Sequence, residues 1–215
     1  LIDPEPLAER GWLTEKDLFL PYEANSGFIN FDRVRPFKKD ILEKAFHAFR
    51  TQSADDADYR TFCEKEAYWL KDYALFHAAK KEHGGAAWME WPEEIKHRAP
   101  DALNALAERQ RDAVELDYFK QYVFHTQWNR LHAYARTKGI EILGDMPIFI
   151  AQDSADVWAH QQLFDLNEDG SPHTVAGVPP DYFAVNGQLW GNPQYNWTAM
   201  AEEHYAWWKR RFRKL

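Results

Sequence analysis

Two places in this sequence carry residue types suited to a polar, uncharged ligand. The first is Asp145, which follows Gly144 directly after the apolar run Ile140, Ile142 and Leu143. In parallel barrels the carboxyl ends of buried strands build the active site, so an acid there could bind sugar hydroxyls or stabilise developing positive charge. Gly-Asp after a strand is also ordinary turn or helix-capping chemistry, and the residue types leave both readings open. The second is Asp181-Tyr182-Phe183 with Gln188 and Trp190, on a segment stiffened by Pro179 and Pro180. A carboxylate and an amide among flat rings could fold over an oligosaccharide, the rings stacked on C–H faces and the polar groups bonded to hydroxyls. The alternative is an aromatic clamp that packs the segment onto its own domain.

Other chemistries are poorly served. Asp165-Leu166-Asn167-Glu168-Asp169-Gly170 copies the first half of a calcium loop, but the twelfth position, where an EF-hand needs an acid, is Ala176, so a hairpin turn is expected. The nine histidines show no HExxH pairing or tight metal spacing, and neither a Gly-rich phosphate cradle nor a Gly-x-Ser-x-Gly elbow occurs. No metal and no cofactor is expected. The formal charge of -8 argues against nucleic acid or anionic membrane as a partner, because such binding uses Lys and Arg to displace counterions from phosphates. No run approaches the ~20 apolar residues that a membrane helix needs, and the opening residues have neither a basic leader nor an apolar signal core. A single cysteine, Cys63, rules out an intrachain disulfide framework and Cys-rich zinc modules, and points to a reducing, cytoplasmic compartment. The 10 Trp, 10 Tyr and 14 Phe suit a sugar ligand, although core packing accounts for most of them. The start at Leu1 fits processing or an excised segment.

Several elements must position these residues. Ile41, Leu42, Ala45, Phe46 and Phe49 recur at helical steps and predict a helix from about Pro36 to Arg50, with the proline in its first turn. A second helix is expected from Tyr59 to Glu82, ended by Gly84-Gly85, and a third, long one from Pro100 to Lys138, ended by Gly139. Ile140 to Leu143 then reads as a buried strand, which after a long helix is the αβ unit of a parallel sheet. Ala155 to His160 suits a short helix, and Leu163 to Val175 a hairpin around Asp169-Gly170. Gly177 to Pro193 reads as a long ordered loop, and Thr198 to Leu215 as a last helix with acids early and bases late.

The run Cys63 to Phe76, then Trp91-Pro92, Gly144-Asp145-Met146-Pro147-Ile148-Phe149 and Asp153-Ser154-Ala155-Asp156-Val157-Trp158 resemble, in order and spacing, the 4-α-glucanotransferase (amylomaltase, disproportionating enzyme) family. So do Ala176-Gly177-Val178-Pro179-Pro180-Asp181-Tyr182-Phe183 and Gly187-Gln188-Leu189-Trp190-Gly191-Asn192-Pro193. The resemblance implies an α/β fold, a partial (β/α)8 TIM-type barrel of the α-amylase kind with a mostly helical insertion subdomain. Residues 1–110 would form the insertion and 111–215 a barrel segment with helix, buried strand, hairpin and substrate-covering loop. Asp145, at the end of the third strand, then resembles the family's aspartate that supports the sugar in the donor subsite. The stretch from Asp181 looks like a lid over the glucan, with Tyr182, Phe183 and Trp190 as contacts and Gln188 as an acceptor-side ligand.

The family transfers α-1,4-glucan segments between maltooligosaccharides with retention, through one nucleophilic carboxylate and a second acting as acid then base. Both are expected beyond Leu215, so no catalytic residue is assigned in this chain and the piece alone is expected to be inactive. A partial barrel leaves strand edges and helix faces uncovered, which predicts self-association or marginal stability. The competing reading is a non-catalytic α-glucan-binding module, and a third is a helical scaffold without a ligand.

Overall fold

In a computed structural model, which describes residues 1–20, 28–52 and 56–214, the chain is mostly helical. Helices α1 (Glu5–Glu9), α2 (Phe31–Gln52), α3 (Ala57–Glu82), α4 (Glu93–Lys96), α5 (Pro100–Arg109), α6 (Arg111–Thr137) and α7 (Ala155–Ala159) precede a two-stranded sheet. Strands β1 (Val175–Val178) and β2 (Gln188–Pro193) pair antiparallel and are followed by α8 (Trp197–Glu202) and α9 (Ala206–Phe212). No helix among the described residues is long and apolar enough to cross a membrane.

The chain divides into two compact units, Leu1–Leu70 with Asp112–Glu141, and Lys71–Arg111 with Ile142–Leu215. This division differs from the 1–110 and 111–215 split expected from the sequence. In the first unit α6 contributes Phe119, Tyr122 and Val123 to one core with Ile41, Phe46, Phe49 and Phe62, so helices far apart in sequence share one apolar seam. Phe49 is its centre, with ring centroids 5.2 Å from Trp12, 5.0 Å from Tyr59 and 5.0 Å from Phe119.

Helix α2 starts earlier than the apolar spacing predicts. Asn30 caps it, its side-chain oxygen accepting from the backbone N–H of Asp32 at 3.1 Å and of Arg33 at 3.3 Å. Pro36 therefore lies in the second turn, where its missing N–H deprives only one carbonyl near the helix start of a donor. Near its own start the chain uses a reciprocal cap, in which Asp17 accepts from the Thr14 N–H at 2.9 Å and hydroxyl at 2.7 Å. Lys44 donates to the same carboxylate at 2.8 Å, and these bonds hold Asp17 well below the usual carboxylate range.

The single helix expected from Pro100 to Lys138 is two helices. They break at Gln110, where no glycine or proline stands; instead the Glu82 carboxylate accepts from Gln110 Nε2 at 2.8 Å and Arg109 Nη2 at 3.0 Å. The stop after α6 is as expected: Gly139 takes a φ of +69° and the next N–H, of Ile140, bonds to Ala135 O at 3.0 Å.

The strand expected at Ile140 to Leu143 does not form, and the segment is not buried: Leu143 is 90% and Ile148 60% exposed. A parallel strand exists only beside neighbours, and β1 with β2 is the only named sheet among the described residues. The hairpin expected over Leu163 to Val175 is a tight turn closed by one bridge, Leu166 to Pro172, because Val175 is taken up by β1. Asp169 turns the chain there by accepting from the Ser171 N–H at 2.8 Å and hydroxyl at 2.6 Å. The last helix is also two. Glu203 Oε1 caps α9 at Trp207 N, 2.9 Å, after His204 and Tyr205 take left-handed φ values of 54° and 56°. Leu215, the expected end of that helix, lies outside the described residues.

The second unit is built on Trp158, which is fully buried on α7. Its indole N–H donates to Ile95 O at 3.0 Å, and its ring meets Trp91 edge-on at 5.6 Å and the Arg98 guanidinium at 4.4 Å. Trp88, equally buried, donates its indole N–H to Gln152 O at 2.8 Å. Gly170, with a φ of +85°, lies against it so closely that an added Cβ would stand 2.5 Å from the ring.

Candidate functional site

Asp145 is exposed and makes no hydrogen bond or ion pair among the described residues. The backbone just beyond it, from Pro147 to Ile150, is held firmly, although not by a sheet. The carbonyl of Pro147 accepts from Arg211 Nη2 at 2.9 Å, that of Ile148 from the Tyr195 hydroxyl at 2.8 Å, and that of Ile150 from Asn192 Nδ2 at 2.9 Å. Side chains thus satisfy backbone groups that a strand would satisfy through its neighbours.

The donors are themselves well seated. Tyr195 is buried, its ring 5.3 Å from Phe164, 5.9 Å from Trp207 and 5.2 Å from Trp208. Burial pushes its phenol up to about 12, so the hydroxyl keeps its proton and stays a donor through the neutral range. Arg211, on α9, lies over the Trp207 ring at 4.6 Å and 3.7 Å from an Asp156 carboxylate oxygen.

The segment read as a loop from Gly177 to Pro193 is a β-hairpin with a long tip. Its register pairs Val178 with Gln188 and Gly177 with Leu189, and an irregularity between Val175 and Gly177 bends β1. Gly177 is required by this pairing, since a Cβ would stand 2.5 Å from Gln188 O. At the tip Asp181 accepts from the N–H groups of Phe183 at 2.9 Å and Ala184 at 2.6 Å, so its carboxylate organises the turn. Tyr182 and Phe183 project from that turn, 93% and 91% exposed, with their rings edge-on at 5.5 Å.

On β2, Gln188 Oε1 accepts from the Trp190 indole N–H at 3.0 Å, which fixes the two side chains together. The Trp190 ring stands edge-on to Phe149 at 5.2 Å. The structure therefore joins Gln188 and Trp190 to the segment that begins at Asp145, and sets Tyr182 and Phe183 at the tip. Asp181 holds the turn through Oδ1.

A family model described as 4-alpha-glucanotransferase matches residues 1–215. The chain belongs to the 4-alpha-glucanotransferase family. It is 43% identical over 216 residues to a 4-alpha-glucanotransferase of Thermus thermophilus, covering 100% of this chain and 42% of that protein. It is 43% identical over 212 residues to one of Aquifex aeolicus, covering 98% and 42%. Among solved structures it resembles an amylomaltase from Streptococcus agalactiae in complex with acarbose, with a TM-score of 0.87 and 34% identity, covering 100% of this chain and 43% of that one. The chain thus spans about two fifths of the length of these relatives.

Within this 4-alpha-glucanotransferase segment, reasoning from the sequence missed four residues. Phe149, Asn192, Tyr195 and Arg211 support the candidate site through contacts that bridge 41 to 64 positions. Residue spacing carries no signal for such bonds, although Phe149 and Asn192 do stand inside the motif strings that carry the resemblance.

Proposed function

We propose that this chain is the substrate-contacting segment of a 4-α-glucanotransferase that moves α-1,4-glucan segments between maltooligosaccharides. The observation that carries the reading is the exposed Gln188–Trp190 pair joined through Phe149 to the segment that starts at Asp145. An indole face and an amide within one rigid hairpin suit a sugar's apolar C–H surface and hydroxyl rim. Tyr182 and Phe183, rings held out by the Asp181 turn, are assigned to cover the bound glucan.

In this reading the reaction is a double displacement. A carboxylate attacks the anomeric carbon while a carboxylic acid protonates the departing glycosidic oxygen; the 4-hydroxyl of a second glucan then attacks and gives its proton back to that group. Both groups are assigned to parts of the protein outside this chain, and Asp145 to stabilising the charged sugar ring. The same reading puts Asp145 at the end of the third strand of a (β/α)8 barrel in the complete protein, with residues 1–110 a mostly helical insertion and 111–215 a barrel segment. The exposed Ile140, Leu143 and Ile148 support this, since neighbouring strands would cover them. The lone Cys63 supports a reducing, cytoplasmic setting.

Full-length protein incubated with maltotriose is expected to release glucose and form longer maltooligosaccharides. The chain alone is expected to bind maltoheptaose without converting it. Absence of both products from the full-length protein would sink the transferase reading, and binding without turnover there would favour a glucan-binding module. We further propose that the chain alone self-associates through the uncovered apolar residues of 140–148. Sedimentation that finds only a monodisperse monomer at micromolar concentration would contradict this.

A further inference from the structure

We infer that Tyr195, Asn192 and Arg211 are positioning residues that set the location of Asp145 relative to the Gln188–Trp190 pair. The inference rests on the proposed transferase reading and deepens it. Three carbonyls within four residues, those of Pro147, Ile148 and Ile150, each receive a side-chain donor rather than a strand partner. Two residues span at most about 7 Å, so a fixed Pro147 carbonyl confines the backbone of Asp145 to a small volume. The donors come from the end of β2, from the residue two beyond it and from α9, and β2 also carries Gln188 and Trp190. One strap therefore links the acid to the rings.

The donors are built for such a task. Tyr195 is anchored by four aromatic neighbours, Phe164, Trp197, Trp207 and Trp208, and Arg211 is flanked by Trp207 and Asp156, so neither has to be ordered when substrate arrives. A strap with a purely structural role would raise stability and leave turnover alone. A strap that places a charge against a reacting sugar affects turnover through Asp145.

Tyr195→Phe separates these cases, because it removes the hydroxyl and leaves the ring in its packing. In the full-length protein it is expected to lower kcat for maltotriose disproportionation about tenfold with KM within about twofold. In an Asp145→Asn background it is expected to lower kcat no further, since the residue being positioned has already lost its charge. Asn192→Ala is expected to repeat this pattern and serves as the second variant. A Tyr195→Phe protein with unchanged kcat, or one whose loss persists undiminished beside Asp145→Asn, overturns the inference while leaving the transferase reading intact. Unchanged kcat in Asp145→Asn alone would instead refute the role given to Asp145, and the inference with it.

Discussion

Asp145→Asn in the full-length protein is expected to lower kcat for glucose release from maltotriose by about 10²–10³-fold, with KM changed only a few fold. Asparagine keeps the size of the side chain and one acceptor oxygen, so hydroxyl binding in the ground state largely survives. What disappears is a negative charge, and in a glycosyl transfer through an oxocarbenium-like transition state the positive charge exists chiefly at the barrier. The loss should therefore fall on kcat. Because Asp145 is exposed and makes no hydrogen bond or ion pair among the described residues, the substitution should leave the melting temperature of the chain alone nearly unchanged. Initial rates over a range of maltotriose concentrations check the point, and wild-type kinetics would remove the role assigned to this residue.

Trp158→Ala is expected to destabilise the second unit by about 3–5 kcal/mol, the range for emptying a large, fully buried ring. The ring is fully buried, it carries the Arg98 guanidinium on one side, and its N–H satisfies the Ile95 carbonyl. Trp158→Phe fills much of the space but leaves that carbonyl without its donor, and should cost about 1–3 kcal/mol. Urea unfolding followed by circular dichroism distinguishes the two; an alanine variant as stable as the parent would mean that the unit closes around the cavity at no cost. Helix α7 also presents Asp156 to Arg211, so the damage should reach the strap beside Asp145.

Much of the helical content was legible because it is written in local spacing. Ile41, Ala45, Phe46 and Phe49 are buried on one face of α2, and Gly84, Gly85 and Gly139 take the left-handed conformations expected of helix stops. The breaks at Gln110 and at His204–Tyr205 were not legible. At neither does a glycine or proline mark the boundary: the Glu82 carboxylate meets the Arg109 and Gln110 side chains at the first, and Glu203 caps α9 at Trp207 N at the second. The strand at Ile140 failed for a different reason: its apolar run is a statement about neighbours, and pairing is not a property of the run itself. At the candidate site an acid, an amide and rings were singled out by residue type, and the segment that carries them was read as a loop. Its β pairing rests on Gly177 and on an irregular register, which alternation of apolar residues does not reveal. The backbone bonds of Asp181 were not legible either, since a short side chain that reaches its own turn is chosen by the local fold and not by residue type.

The contact between Trp88 and Gly170 has an evolutionary corollary. Any side chain at position 170 would have to occupy the space of the indole and would also be strained by the local φ of +85°. The two positions can therefore drift only as a couple: a lineage that shrinks the indole gains room at the turn, whereas one that enlarges the turn first passes through a badly folding ancestor. Across many homologues this should appear as correlated substitution between two sites 82 residues apart, a historical trace of one ring resting on one bare α-carbon.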